Sequence, residues 1–189
     1  MKKIVFAALL LMLSISGSFA QKHFVRLNAG YTDLRPAMIN GYTLEADYTT
    51  RFLGIFRLGM GINSASYLDA DLNHVAQVAP MDMDFKLGIG MKIIGIRLEG
   101  GLGVFGRYVN KSYMAANESY QYTYYGNVYT LDPGQHQTYG YFTYGTLLYA
   151  NIGIDATKKW GVMISAYSKM DMSQDINVGI MIGPYFLLK

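Results

Sequence analysis

Three histidines, His23, His74 and His136, are the only imidazoles in a 189-residue chain that holds no cysteine. Thiol nucleophiles, disulfides and cysteine-ligated metals are therefore excluded. A serine nucleophile needs a positioned base, and the sequence sets no serine two residues beyond a histidine. His23 is followed by Phe24-Val25, His74 by Val75-Ala76 and His136 by Gln137-Thr138. His74 does follow Asp69-Ala70-Asp71-Leu72-Asn73, a string of hard donors, but it lacks the glycine and closing glutamate of a calcium loop. It reads as a solvated loop. Asp82 and Asp84 share one strand face, where they either raise one another's pKa or pair with an interior Arg or Lys. No catalytic residue, metal or cofactor follows from these types and spacings.

The element that carries the two aspartates reads MDMDFKLGIGMK over residues 81–92. Every odd position is apolar, and the even ones hold Asp82, Asp84, Lys86, Gly88, Gly90 and Lys92. Strict alternation specifies a β-strand with two unlike faces. In a soluble barrel the apolar side lines the core; in a membrane barrel it meets lipid, and the charges point inward.

Residues 1–20, MKKIVFAALLLMLSISGSFA, have a basic start, a short apolar run and a Ser18-Phe19-Ala20 cleavage signature. They read as a secretory signal peptide, which leaves residues 21–189 as one domain exported to a Gram-negative envelope. With Lys2 and Lys3 removed, 14 of the 16 basic residues remain against 13 acidic ones, a balance that gives no case for nucleic acid. The remainder, rich in Tyr and Gly, has no uninterrupted apolar run of helix-spanning length, so any membrane crossing uses strands.

Period two divides the domain into eight segments, near 22–31, 42–51, 53–62, 81–92, 94–106, 140–154, 160–170 and 176–188. Each is about 10 residues, the length of a tilted membrane strand. Short connections near 51–53, 92–93 and 155–159 alternate with mostly longer ones near 32–41, 63–80 and 107–139, the final one, near 171–175, being short. The expected fold is an all-β, eight-stranded antiparallel up-and-down transmembrane barrel with a side-chain-filled interior and both termini on the short-turn side. A turn centred on Phe52 sets Asp47 opposite Arg57, and a turn at Lys92-Ile93 sets Lys86 opposite Glu99. The expected inward charges are Arg26, Arg51, Arg57, Lys86, Arg97 and Lys169 against Glu45, Asp47, Asp82, Asp84 and Glu99. Their near-neutrality suits a closed interior. Leu147 and Tyr149 interrupt the polar face of their segment.

In this pattern the chain resembles the small eight-stranded outer-membrane barrels, the family of the OmpA membrane domain and OmpX. The end, Gly183-Pro184-Tyr185-Phe186-Leu187-Leu188-Lys189, is similar to the assembly signal of that class, with Leu188 where an aromatic is usual and Lys189 last. The resemblance implies outer-membrane lipid and the barrel-insertion machinery as partners. Trp160, beside Lys158-Lys159, and Phe186 read as membrane-interface anchors.

Residues 107–139 are the most distinctive connection. Tyr120, Tyr122 and Tyr124 alternate, Gly126-Asn127 signals a hairpin, and Val128-Tyr129-Thr130-Leu131 returns. These tyrosines either pack the loop and its girdle or offer contact area to an extracellular protein or glycan. The expected function is thus a non-enzymatic outer-membrane barrel presenting loops or supporting the envelope. A soluble lipocalin-like carrier of a small lipophilic ligand and a narrow channel are the alternatives.

Overall fold

The computed structural model describes residues 23–35, 39–52, 54–70, 74–124, 127–172 and 174–188; the expected signal peptide lies outside them. The strands are β1 (His23–Arg35), β2 (Ile39–Phe52), β3 (Phe56–Ala70), β4 (His74–Ile93), β5 (Ile96–Ala115), β6 (Tyr120–Tyr124), β7 (Asn127–Leu131), β8 (His136–Asp155), β9 (Trp160–Asp171) and β10 (Ile176–Leu188). Eight of them close a barrel in the order β1-β2-β3-β4-β5-β8-β9-β10, every neighbouring pair antiparallel, and β6 and β7 form a separate hairpin.

Side chains sort as alternation requires. Leu44, Met60, Phe85, Leu102, Ile152 and Ile180 lie exposed on the outside, while Arg26, Glu45, Asp82, Asp84, Lys86 and Lys169 are buried within. This inverts a soluble barrel and removes the lipocalin-like alternative, whose apolar face would line the interior. On β2, Tyr42 and Phe52 bracket the apolar belt; ten residues at about 3.3 Å rise and about 40° tilt give a height of about 25 Å. Aromatic pairs mark both rims. Tyr31–Tyr42 and Tyr108–Phe142 stand at the long-loop end, and Phe52–Phe56 with the cross-strand neighbours Trp160 and Phe186 at the other.

Two registers correct the sequence reading. The β2–β3 ladder closes Phe52 on Phe56, so Asp47 faces Gly61 and Arg57 faces Arg51. The β4–β5 ladder closes Ile93 on Ile96, so Glu99 faces Gly90 and Lys86 faces Gly103. Neither expected facing pair forms across these ladders. The reversals sit where glycine supplies a left-handed backbone, at Gly54 (φ 75°) and Gly95 (φ 82°), two residues beyond the assumed centres. Moving a turn centre by two residues changes every partner but no face, so the inward set survives the error.

Strands also run past their expected ends. The connection expected over 63–80 shrinks to residues 71–73, and β5 and β8 continue into the stretch taken as the loop 107–139. Above the lipid an outward face has no need of apolar residues. Ser64, Ser66, Gln77 and Asn110 occupy it, and the ladder continues without the contrast that reveals it. Within the wall, the β1–β10 ladder skips Leu27 and Asn28, which lie opposite Pro184 and Gly183. Proline has no N–H to donate.

Candidate functional site

The lumen is built in layers, each assembled from alternate residues of several strands. Its central ionic layer joins β1, β2, β3, β4 and β5. Arg26 donates to Asp47 Oδ1 from Nη2 at 2.5 Å and from Nε at 3.0 Å, and its Nη1 reaches Glu99 Oε2 at 3.0 Å. Lys86 Nζ donates to Asp47 Oδ2 at 2.7 Å and also to Glu45. Arg57 approaches Glu99 Oε1 at 3.6 Å and donates to the Gly90 carbonyl at 3.2 Å. Three cations thus meet three carboxylates, all buried, a balance that low-dielectric surroundings demand.

A second ionic layer lies toward the long-loop end. Arg107 grips Asp82 with two parallel bonds of 2.7 and 3.0 Å, the fork geometry that favours arginine. Lys169 Nζ bridges Asp82 at 2.8 Å and Asp84 at 2.9 Å, and Asp171 stands 3.7 Å from Arg107. Of the two readings of Asp82 and Asp84, the structure thus favours pairing, with basic partners on both. Phe105, Leu147, Tyr167 and Met181, with Tyr149 against them, form an apolar disc across the lumen. Leu147 and Tyr149 are therefore components of the plug. Above, Thr32 Oγ1 joins Asn177, Tyr67 and Tyr167, and Leu34, Ala65, Tyr67, Val78 and Val109 cap the stack. Below, Arg97 Nε donates to Asp155 Oδ1 at 2.6 Å and to the Tyr185 hydroxyl at 3.1 Å. An internal void of about 10 Å³, between Glu45, Lys86, Tyr149 and Lys169, has room for about one water.

Arg107 and Asp171, buried, and Asp155, half-buried at the mouth, are lumen-facing ions that fall within expected connections. Their parity carried the signal: Arg107 continues Arg97, Glu99 and Phe105, and Asp171 continues Lys169. Arg51 departs the other way. It has inward parity but stands exposed at the mouth, where Nε donates to the Gly54 carbonyl.

Beyond the membrane-spanning part of the barrel, the β6–β7 hairpin packs on the lumen-side faces of the β4, β5 and β8 extensions. Tyr122 stacks on Tyr113 with ring centroids 4.4 Å apart, and Tyr120 stacks on His74 at 4.3 Å. The Tyr122 hydroxyl donates to Gln137 Oε1 at 2.8 Å and bonds to Tyr139. Tyr122 is therefore turned inward, a correction to its expected place in a surface-contact set: it anchors the hairpin, because Ala115 and Leu131 close over it. Burial, then the Tyr139 bond, pushes its hydroxyl pKa up. Tyr129 stacks on Tyr122 with ring centroids 5.5 Å apart and keeps 38% of its surface exposed, and Tyr120 is half-buried. Tyr124 ends β6, its side chain outside the described ones, as is Gly126 of the expected turn. Asn127 pairs with Tyr124 and so belongs to β7, not to the expected turn.

For chemistry the surface offers little. Ser112 Oγ lies 2.7 Å from His136 Nε2 on the outer face of the extensions, but among the described residues no carboxylate pairs with His136 to orient it. His74 Nε2 lies 3.7 Å from Asp69 Oδ2, with Asp71 and Asn73 outside the described residues. Among the described residues no three His, Cys, Asp or Glu gather as a metal site.

No protein-family model matches the chain, and no curated protein matches it in sequence. Solved structures do match in shape. Ail, the attachment invasion locus protein of Yersinia pestis, superposes with a TM-score of 0.55 at 7% identity, covering 89% of this chain and 98% of that one. Neisserial surface protein A gives 0.57 at 6% identity, over 87% and 96%. A major outer membrane protein of Thermus thermophilus gives 0.54 at 12% identity, over 90% and 100%. The chain has the fold of the small eight-stranded outer-membrane β-barrels.

Proposed function

We propose that this chain is an integral protein of a Gram-negative outer membrane, exported by a cleaved signal peptide over residues 1–20, with a binding or envelope-supporting role and no catalytic one. The observation that carries the reading is the inverted polarity: a belt of exposed apolar side chains around neutralised ions. Water does not support such a belt, whereas acyl chains do. The C-terminal strand β10, with Phe186 outward, is the segment offered to the barrel-insertion machinery. The filled lumen argues against the narrow channel.

The binding end is the β6–β7 hairpin on its tyrosine anchor. A solved complex of Ail holds the heparin analogue sucrose octasulfate. Here the charge points elsewhere. Among the described residues beyond the long-loop girdle, Asp33, Asp69, Glu118, Asp132 and Asp175 face only Arg35 and Lys111. A polyanion is thus disfavoured, and an uncharged glycan or a neutral to basic protein segment fits Tyr120 and Tyr129 better. Fractionation with outer membranes and heat-modifiable gel migration test the barrel; recovery in the soluble periplasm refutes it. Replacing residues 116–135 by a short Gly-Ser link, which spares β5 and β8, is expected to abolish capture of the extracellular partner while leaving heat-modifiability intact.

A further inference from the structure

At the short-turn end, two of three hairpins carry apolar side chains where water would reach them. Ile94, in the β4–β5 turn, is 98% exposed and holds φ at 46°, a conformation β-branched residues rarely adopt. Asn-Gly suits such a turn without strain, so backbone preference does not account for the isoleucine. Ile93 and Ile96 flank it, both exposed. In the neighbouring β2–β3 turn, Ile55 is exposed between Phe52 and Phe56, and its carbonyl accepts from Gly90 N–H at 2.7 Å, tying the two hairpins together.

This patch continues the outward belt, since Ile93 follows Met91, Ile89 and Leu87 along β4. The cations beside these turns, Arg51, Arg57 and Lys92, have lumen-facing parity; Arg51 bonds the Gly54 carbonyl, Arg57 the Ile55 and Phe56 carbonyls, and Lys92 pairs with Asp155. None of the three projects from the apolar face, so none would enter hydrocarbon with it. The third turn, β8–β9, is unlike the other two. Ala156, Thr157, Lys158 and Lys159 are all exposed there, with no large apolar tip.

We propose that the β2–β3 and β4–β5 turns are inserted into the acyl boundary of the adjoining phospholipid leaflet. The barrel then sits deeper on its β2–β5 side than at β8–β9, where Lys158 and Lys159 stay at headgroup level. Ile55 and Ile94 are the anchors of that tilt. The inference rests on the membrane reading above and adds turns, which strand periodicity leaves in water, to the lipid contact.

Because the chain has no cysteine, single variants Ile55→Cys, Ile94→Cys, Met83→Cys and Thr157→Cys each accept one fluorophore. The folded, heat-modifiable proteins are placed in phosphatidylcholine–phosphatidylglycerol vesicles, with brominated acyl chains or with iodide on both sides of the bilayer. Brominated chains are expected to quench the labels at 55, 83 and 94 alike, and iodide only that at 157. Iodide quenching at 55 and 94, with bromine quenching kept at 83, overturns the inference and leaves the membrane reading standing. Iodide quenching at 83 overturns both. In a second variant, Ile94→Asn relieves the turn and is expected to raise iodide access of the label at 55; unchanged access counts against the anchor.

Discussion

Replacing Asp47 with alanine removes a carboxylate that accepts from Arg26 at 2.5 and 3.0 Å, Thr49 at 2.7 Å and Lys86 at 2.7 Å. Breaking a buried ion pair from one side costs about 3–5 kcal/mol. Arg26 keeps Glu99 at 3.0 Å and Lys86 keeps Glu45, so neither cation is left alone. The lower end, about 3 kcal/mol, is therefore expected, which multiplies the unfolded fraction roughly 150-fold. Two further variants calibrate it. Asp33→Ala breaks an exposed pair with Arg35 and is expected to cost about 0–1 kcal/mol. Asp47→Ala with Lys86→Met removes one charge of each sign, and should cost less than the two single changes added together. Urea unfolding from phospholipid vesicles, followed by the fluorescence of the sole tryptophan, Trp160, and by heat-modifiable migration, reads all three. An Asp47→Ala shift no larger than that of Asp33→Ala refutes the ionic layer as a structural element.

A Cβ added at Gly183 would strike the Leu27 carbonyl oxygen and lie 2.8 Å from Asn28 Cα. Both are backbone and cannot swing aside, so Gly183→Ala is expected to destabilise the barrel by about 3 kcal/mol in the same urea assay. Removing the apolar disc with Phe105→Ala and Leu147→Ala is expected to produce single-channel conductance in planar bilayers where the parent protein gives none; a silent, folded variant argues that the ionic layers seal the lumen by themselves. The Tyr122 hydroxyl is raised above the ordinary tyrosine value of about 10. Hairpin docking is therefore complete below that value and weakens as pH rises above it, because undocked tyrosine ionises first. Limited proteolysis within 116–135 should accelerate between neutral pH and pH of about 11, and an unchanged rate would show that Tyr122 is not the anchor.

The faces of the strands were legible in the sequence, because successive side chains leave a strand on opposite sides whatever its partner is. Parity alone puts Arg26, Glu45, Asp47, Lys86 and Glu99 on the polar faces of their strands and Phe85 and Leu98 on the apolar ones; the closed barrel turns the polar faces inward. Partners were not legible, because they depend on where each hairpin reverses. The reversal at Gly54 moves Asp47 from Arg57 to Gly61 across the β2–β3 ladder, while the β1–β2 register sets it opposite Arg26 and Lys86 reaches it from β4. The apolar disc was hidden for a related reason: Phe105, Leu147, Tyr167 and Met181 come from β5, β8, β9 and β10, and only closure of the ring makes them neighbours.

Sequence by itself thus determined the all-β class, the number of barrel strands and which side chains share a strand face, all consequences of a local period of two. Tertiary structure alone decided which ion meets which, how far the walls rise above the lipid, and that Tyr122 turns inward. Those outcomes rest on register and ring closure, which bring together residues distant in the chain and leave no periodic trace in it.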